Sequence, residues 1–233
     1  MGEKELGMKE EVNILLVFRT GGRFSMQDVI LLANHLQGKN DDLKVNTFCL
    51  TDIITEIMPA RNVTLLPMKH PWHGWWAKMN LFASELEYLR PYMYVDLDTA
   101  IVRPLSLVLP ALHEQSNVIM LRDFYKPAKA ASGLMWIPAQ NDKVSRIWEK
   151  WIKDPERHMK KHRGDQEFIC SVCEPDLYWQ DITSGVVSYK PNKKHRKKLN
   201  GDESVVCFHG KPEIKEAAKS VKWVREYVKE GAL

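Results

Sequence analysis

Residues Val12 to Phe18 read VNILLVF, an apolar run rich in branched side chains with almost no polar interruption. A strand of that kind is buried on both faces, which points to a sheet sandwiched between helices. The run breaks at Thr20-Gly21-Gly22, where glycine lets the backbone turn tightly or approach a ligand closely. Ser25 to Asp28 has the pattern of a capping box, and Val29, Leu32, Ala33 and Leu36 form a helical stripe closed by Gly38 and Asn40. Val45 to Leu50 then reads as a second strand. Strand, glycine turn, helix and strand in that order open an α/β domain.

The same alternation continues. Trp75, Met79, Phe82, Leu86 and Leu89 keep helical spacing and predict one helix ending before Pro91, with the tryptophans in the core and Trp72 and His73 in a loop beside the pocket. Tyr92 to Val95 predicts a strand that runs into Asp96-Leu97-Asp98-Thr99. Strands follow at Val118–Leu121 and Ser132–Ile137, then a helix carrying Val144, Ile147, Trp148 and Trp151. Short strands at Gly185–Tyr189 and Ser204–Phe208 precede a closing helix whose face is Ile214, Ala217, Ala218, Val221, Val224 and Val228. With no internal repeat and no Pro/Gly/Ser linker, 1–233 is expected to be a single α/β domain with a central mixed sheet flanked by helices.

The 34 Lys and Arg exceed the 30 Asp and Glu by four, but five of the cations are Lys193, Lys194, Arg196, Lys197 and Lys198. Without them the balance is slightly acidic, so the basic excess belongs to one surface excursion. It is read as a solvated loop or as a contact for a polyanion such as DNA, with Lys160, Lys161 and Arg163 as a further basic stretch. Four cysteines are too few for a disulfide scaffold, and Cys170 and Cys173 read as reduced thiols one helical turn apart. The charged start and the absence of an apolar run of about 18 to 20 residues predict a cytoplasmic protein with no integral membrane association.

The chemistry concentrates at Asp96 and Asp98. Two carboxylates two residues apart at the carboxyl end of a strand sit where open α/β sheets bind ligands, and on a regular strand both face the same side with Leu97 opposite. Such a pair repels itself unless a cation lies between, and hard oxygen ligands suit Mg²⁺ or Mn²⁺ bridging to phosphate. Two site types carry this pattern. One is the aspartate nucleophile of haloacid dehalogenase-like phosphatases, in which the threonine stands one position later than Thr99 and the motif opens the chain. The other is the Asp-x-Asp of metal-dependent nucleotide-sugar glycosyltransferases, which follows an N-terminal nucleotide-binding half.

Placement favours the second, and from Asn13 to about Lys211 the sequence resembles glycosyltransferases of the GT-A fold, particularly the retaining, glycogenin-like and bacterial galactosyltransferase-like group and small phage and bacterial glycosyltransferases. The resemblance implies a Rossmann-like domain whose nucleotide-binding half, 1–99, ends in the Asp-x-Asp and whose sugar and acceptor half, 100–233, ends in the C-terminal helix. His209-Gly210-Lys211-Pro212 resembles a compressed form of the group's C-terminal His-x-x-Gly-x-x-Lys-Pro signature. That implies His209 as third metal ligand beside Asp96 and Asp98, with Gly210 and Lys211 at the diphosphate. Asp165 and Gln166 resemble the Asp-Gln pair beside the donor sugar and are the implied catalytic residues, although an acid at Asp165 equally suits a helix N-cap. Ser132 and Gly133 resemble the stretch whose backbone meets the sugar, and Lys78 takes the place of a cation before the Asp-x-Asp. Phe18, Arg19, Thr20, Gly21 and Gly22 occupy the place of the nucleotide subsite, and Leu97 lies between the two acids.

The expected activity is therefore a Mn²⁺- or Mg²⁺-dependent transfer from a UDP-sugar or similar donor, with retention, to a saccharide, a protein side chain or a hydroxymethylated DNA base. A phosphatase using Asp96, and a non-catalytic nucleic-acid module, remain as alternatives. No dinucleotide or phosphate-loop glycine motif occurs, which speaks against NAD and kinase-type ATP chemistry.

Overall fold

Residues 9–53, 62–109 and 116–232 are described by a computed structural model. The charged start over residues 1–8 and the side chain of Lys193 lie outside the described residues.

The opening apolar run is β1 (Glu10–Phe18), and its side chains divide between two cores. Val12, Ile14, Leu16 and Phe18 enter one cluster, while Leu15 enters another on the opposite face. Helix α1 (Met26–Gly38) begins as expected: the Asp28 carboxylate accepts the Ser25 N–H at 2.7 Å and the Ser25 hydroxyl at 2.8 Å. The chain continues through β2 (Leu43–Thr51) and β3 (Thr64–Pro67), both parallel to β1, then returns to β4 (Tyr92–Val95) on the other side of β1.

Between β3 and β4 the predicted single helix is two 3₁₀ helices, Gly74–Phe82 and Ser84–Leu89, broken where Ala83 is extended. The Asn80 side chain explains part of this: its amide donates to Ala77 O at 2.9 Å and to His70 O at 2.7 Å, while its carbonyl accepts the His70 N–H. A side chain that takes a nearby backbone carbonyl competes with the α-helical ladder. The turn also places Trp76 in the core, stacked on Trp151 at 5.2 Å, but leaves Trp75 60% exposed, so the expectation that both are core residues fails for Trp75.

After β5 (Thr99–Ile101) come β6 (Ile119–Arg122) and β7 (Ala130–Ile137), which is two residues longer than the sequence pattern indicated. β7 pairs antiparallel with β4 and β6, and β8 (Leu177–Tyr178) lies parallel to β6. The large sheet thus has the order β3-β2-β1-β4-β7-β6-β8, seven strands of mixed direction. Helices α2 (Asp142–Lys153), α3 (Pro155–Lys161), α4 (Asp165–Val172) and the short α5 (Trp179–Ile182) belong to this second half.

A smaller sheet, β5-β10-β9, joins β5 to β9 (Val186–Ser188) and β10 (Val205–Cys207). The closing helix is interrupted: α6 (Ile214–Ala217) is one turn and α7 (Lys222–Glu230) follows after a break. Val224 and Tyr227 bury against the third core cluster, beneath the small sheet.

Candidate functional site

The strand order reverses at β1: the chain moves outward from β1 to β2 and β3, then comes back to β4 on the far side. In open α/β sheets the crevice beyond the carboxyl ends of such neighbours is the natural ligand site. A cleft of about 520 Å³ lies there, and it gathers residues distant in sequence: Arg19, Thr20 and Gly22 after β1, Lys78 and Tyr94, then Asp96, Leu97 and Asp98, Ser132 on β7, and Asp165 and Gln166 at the start of α4.

β4 ends at Val95, so Asp96 and Asp98 occupy the turn between the large and small sheets and not a regular strand. Their alignment comes from the turn's partners. The Asp96 N–H donates to Gly133 O at 2.9 Å, and a Cβ at Gly133 would lie 3.2 Å from Asp96 Oδ2, close enough to push the carboxylate from its place. Lys78 Nζ stands 3.1 Å from Asp96 Oδ1 and 2.9 Å from Asp165 Oδ2, and the Tyr94 hydroxyl donates to Asp96. Lys78 is therefore a buried counter-ion shared by two acids. Burial opposes its charge, but Asp165 and Asp96 outweigh burial and raise its pKa. Asp96 lies above the usual carboxylate range chiefly because the surrounding protein desolvates it; Lys78 and the Tyr94 hydroxyl oppose the rise, and Asp98 and Asp165 add to it.

Asp98 is held differently. Its Oδ2 is 3.3 Å from Arg23 Nη2 and accepts the Gly210 N–H at 3.2 Å, while its backbone carbonyl accepts the Phe208 N–H at 2.9 Å. Those two bonds flank His209 and bring the His209-Gly210-Lys211 turn to the edge of the acid pair. His209 and Gly210 both have positive φ, 38° and 90°. Lys190, itself buried, staples the turn by donating to the carbonyls of His209 (3.0 Å) and Lys211 (2.8 Å). The His209 ring stacks on Phe124 at 4.9 Å, and its Nε2 is 2.6 Å from the Ser188 hydroxyl. Burial, then Lys190, lower its pKa, which keeps the imidazole neutral near pH 7.

Two crowded carboxylates beside a neutral imidazole are of the right kind for a hard divalent cation. As arranged, however, no three His, Cys, Asp or Glu side chains among the described residues stand close enough to hold one ion. His209, Gly210 and Lys211 are also absent from the cleft lining, and Lys211 Nζ lies out at the surface 3.8 Å from Glu216.

On the other wall, Ser132 Oγ donates to Asp165 Oδ2 at 3.0 Å and the Ser132 N–H reaches Gln166 Oε1 at 3.4 Å. The N-cap of α4 is Gly164, so Asp165 is not the cap and its carboxylate turns into the cleft. At the N-terminal side, Arg19 donates to Pro71 O at 3.0 Å. Thr20 donates both its N–H (2.9 Å) and its hydroxyl (2.6 Å) to Asp52, and Gly21 has φ of 79°.

Five site residues escaped the sequence reading: Arg23, Asp52, Tyr94, Ser188 and Lys190. Tyr94 carried a usable signal, since it stands two positions before Asp96 at the end of a strand with period two. Arg23 directly follows the glycine pair but lacked any pattern of its own. Trp75 is a sixth addition, because its exposed indole stands where the first cleft meets a second of about 650 Å³, the two sharing Trp75 and Gln166.

The basic excursion divides. Arg196 pairs with the buried Glu203 at 2.7 Å and donates to Ser188 O, so it is committed to the fold, while Lys194, Lys197 and Lys198 are exposed. Cys170 and Cys173 are free thiols, and burial raises both, to about 12 and about 11. Among the described residues no helix is long and apolar enough to cross a membrane.

No protein-family model and no curated protein sequence matches the chain. Solved structures do. The glycosyltransferase GlyE of Streptococcus pneumoniae TIGR4 superposes with a TM-score of 0.68 at 12% identity, over 97% of this chain and 61% of that one. The galactosyltransferase LgtC, solved with donor and acceptor sugar analogs, gives 0.63 at 10% identity over 95% of both chains. The bifunctional glycosyltransferase WbbM gives 0.61 at 10% identity over 96% and 52%. The chain thus spans about the whole of LgtC but under two thirds of GlyE and WbbM. At these identities the likeness establishes a shared GT-A-like fold.

Proposed function

We propose that this chain transfers a sugar from a nucleotide-diphospho-sugar, with UDP-sugars as the first donors to test, to an acceptor hydroxyl. The observation that carries the reading is the single cleft at the sheet's reversal point that joins Asp96, Asp98, Lys78, Asp165 and Gln166. The phosphatase alternative is less well supported, because Asp96 follows the fourth strand and its carboxylate is already bonded by Lys78 and Tyr94.

The nucleotide would lie along Arg19, Thr20, Gly21 and Gly22, and its diphosphate near Arg23 and Lys211. Asp96, Asp98 and His209 would have to draw together from their present positions to hold Mn²⁺ or Mg²⁺, which when bound supplies Lewis-acid stabilisation of the departing diphosphate. The donor sugar would meet Ser132, Gly133, Asp165 and Gln166, whose fixed polar groups suit hydroxyls and a ring that gains positive charge. Lys78 and the Ser132 hydroxyl hold the Asp165 carboxylate oriented for that task. Each described carboxylate that lines the cleft already pairs with Lys78 or Arg23. None of these three acids is thus left as a separate base for inversion, and the reading is retention.

The acceptor would enter by the second cleft. Its charged lining mixes Lys126, Lys129 and Arg163 with Asp123, Glu167 and Glu174, beside the Trp75 indole. Paired signs and an aromatic face suit the hydroxyls and apolar ring face of a saccharide better than a phosphate backbone, which favours one sign of charge. A hydroxymethylated DNA base is the second acceptor reading and would draw on Lys194, Lys197 and Lys198.

Turnover of UDP-sugars with Mn²⁺, assayed with and without excess EDTA, and NMR of the product's anomeric proton test the reading. Metal-dependent release of UDP with retained configuration is expected. Full activity in EDTA refutes the metal assignment, and an inverted product refutes retention.

A further inference from the structure

The second cleft leaves its junction with the first along α4. The Ser132 N–H reaches Gln166 Oε1 at 3.4 Å and Cys170 Sγ lies 3.6 Å from Ala130 O, so β7 and α4 run side by side away from that junction. Gln166 to Cys170 is one helical turn, about 6 Å, and Lys129 directly precedes Ala130. At the junction the Trp75 indole lies against Gly164, where a Cβ would stand 3.1 Å from Nε1 and 3.4 Å from Cδ1. The rest of the indole is exposed and offers a platform for the apolar face of a sugar ring. The charges along this cleft are not equivalent. Asp123 Oδ1 accepts the N–H groups of Tyr125 (2.8 Å) and Lys126 (2.9 Å), and Glu167 Oε2 accepts the Arg163 N–H at 2.7 Å with Arg163 Nε 4.0 Å away. Those acids are committed to the protein's own donors, and Glu174 stands past the end of α4, about two helical turns from Gln166. Lys126 and Lys129 line the cleft exposed, and neither forms an ion pair with a described acid. Glu167 feels Lys129 only at longer range. Their loop is closed by two backbone bonds of 2.8 Å, Lys129 N–H to Lys126 O and Asp123 N–H to Lys129 O, so both lysines start from fixed backbone positions.

We propose that the acceptor is an anionic saccharide, whose ring stacks on Trp75 and whose carboxylate or phosphate group is bound by Lys126 and Lys129. The proposal rests on the reading of the first cleft as the donor site. A charge-assisted hydrogen bond from lysine raises affinity by about tenfold or more over a neutral counterpart. Two neighbouring cations match one anionic group on a sugar, whereas a nucleic-acid backbone calls for a continuous track of them.

The experiment is ligand-observed NMR titration, at low and high salt, with the methyl glycosides of glucose and galactose, those of glucuronic and galacturonic acid, and glucose 6-phosphate. The proteins are the wild type, the Lys126→Gln/Lys129→Gln double variant, Trp75→Ala, and Lys229→Ala at an exposed lysine on α7, with melting temperatures recorded for each. At least one anionic sugar is expected to bind the wild type about tenfold more tightly than its neutral counterpart. That difference shrinks at high salt. The double variant loses the preference, Lys229→Ala keeps it, and Trp75→Ala weakens charged and neutral sugars by one factor. Preference for the uronides names a carboxylate and preference for the phosphate names a phosphosugar; either supports the proposal. Equal binding of charged and neutral sugars overturns it, as does a preference that survives in the double variant or is lost equally in Lys229→Ala. A DNA duplex that displaces the sugars and loses its own affinity in the double variant assigns the lysines to a phosphate backbone, and that also overturns it. UDP-sugars titrated in parallel separate the two readings. Donor binding without anion preference sinks this proposal alone, whereas no binding of any UDP-sugar sinks the donor reading and the acceptor role with it.

Discussion

Lys78 and Asp165 meet at 2.9 Å inside the protein, although 87 positions separate them and Lys78 also serves Asp96 at 3.1 Å. One ammonium thus ties the acid at the end of β4 to the acid that opens α4, and so fixes the two walls of the cleft to each other.

Removing that ammonium leaves the buried Asp165 carboxylate and the half-buried Asp96 carboxylate without it as a counter-charge. Lys78→Met is expected to lower stability by about 3–5 kcal/mol, the range for breaking a buried pair by deleting one partner. Urea denaturation measures it; a loss below about 1 kcal/mol indicates that the pair behaves as an exposed one.

The basic excursion separates into structural and solvated cations. Arg196→Ala leaves Glu203 buried with only backbone N–H donors from Asn200 and Gly201, and is expected to cost about 2–4 kcal/mol. Lys197→Ala and Lys198→Ala should each stay within about 0.5 kcal/mol of the wild type. Equal effects in all three variants contradict this division. If DNA is the acceptor, neutralising Lys194, Lys197 and Lys198 flattens the salt dependence of binding.

Trp75 joins the two clefts while giving little to the core. Trp75→Ala is expected to leave the melting temperature nearly unchanged and to raise KM for substrate by about 3–10-fold, as loss of an aromatic contact of roughly 1 kcal/mol predicts. A large drop in melting temperature with unaltered KM assigns the residue to the fold instead.

A pH effect follows from His35, whose ring stacks on Tyr227 at 3.7 Å and docks α7 on α1. Burial lowers its pKa, against the raising effect of the Tyr227 carbonyl. A group with a lowered folded pKa contributes stability that is complete above its ordinary value, about 6.5, and is lost as pH falls towards the folded value. Melting temperatures between about pH 7.5 and about pH 5.5 should fall more steeply for the wild type than for His35→Gln. Parallel slopes contradict the assignment.

Much of this was legible from local pattern. The opening run fixed β1 and α1 because both obey short-range periodicity, and the Asp-x-Asp marked the crevice because it ends a strand. Asp165, Gln166, Ser132 and Lys78 also stand out in the sequence, and the fold brings them into one cleft. What pattern could not show was competition and closure at long range. The stripe from Trp75 to Leu89 satisfied helical spacing, yet Asn80 bonds the backbone near His70 and the segment folds as 3₁₀ turns with Trp75 outside. Arg23, Ser188 and Lys190 act only because β9, β10 and the glycine turn converge on His209 and Asp98, a relation no sequence window contains.

The most direct test of a metal-assisted nucleotide-sugar site is thermal shift against a panel of sugar nucleotides, each with and without Mn²⁺, on the wild type and Asp98→Ala. A ligand that binds only the native state raises the melting temperature by mass action. At least one sugar nucleotide should stabilise the wild type strongly with Mn²⁺ and weakly without it, and Asp98→Ala should lose the difference. Contradiction would come from no response to any donor, or from an Asp98→Ala response as large as that of the wild type.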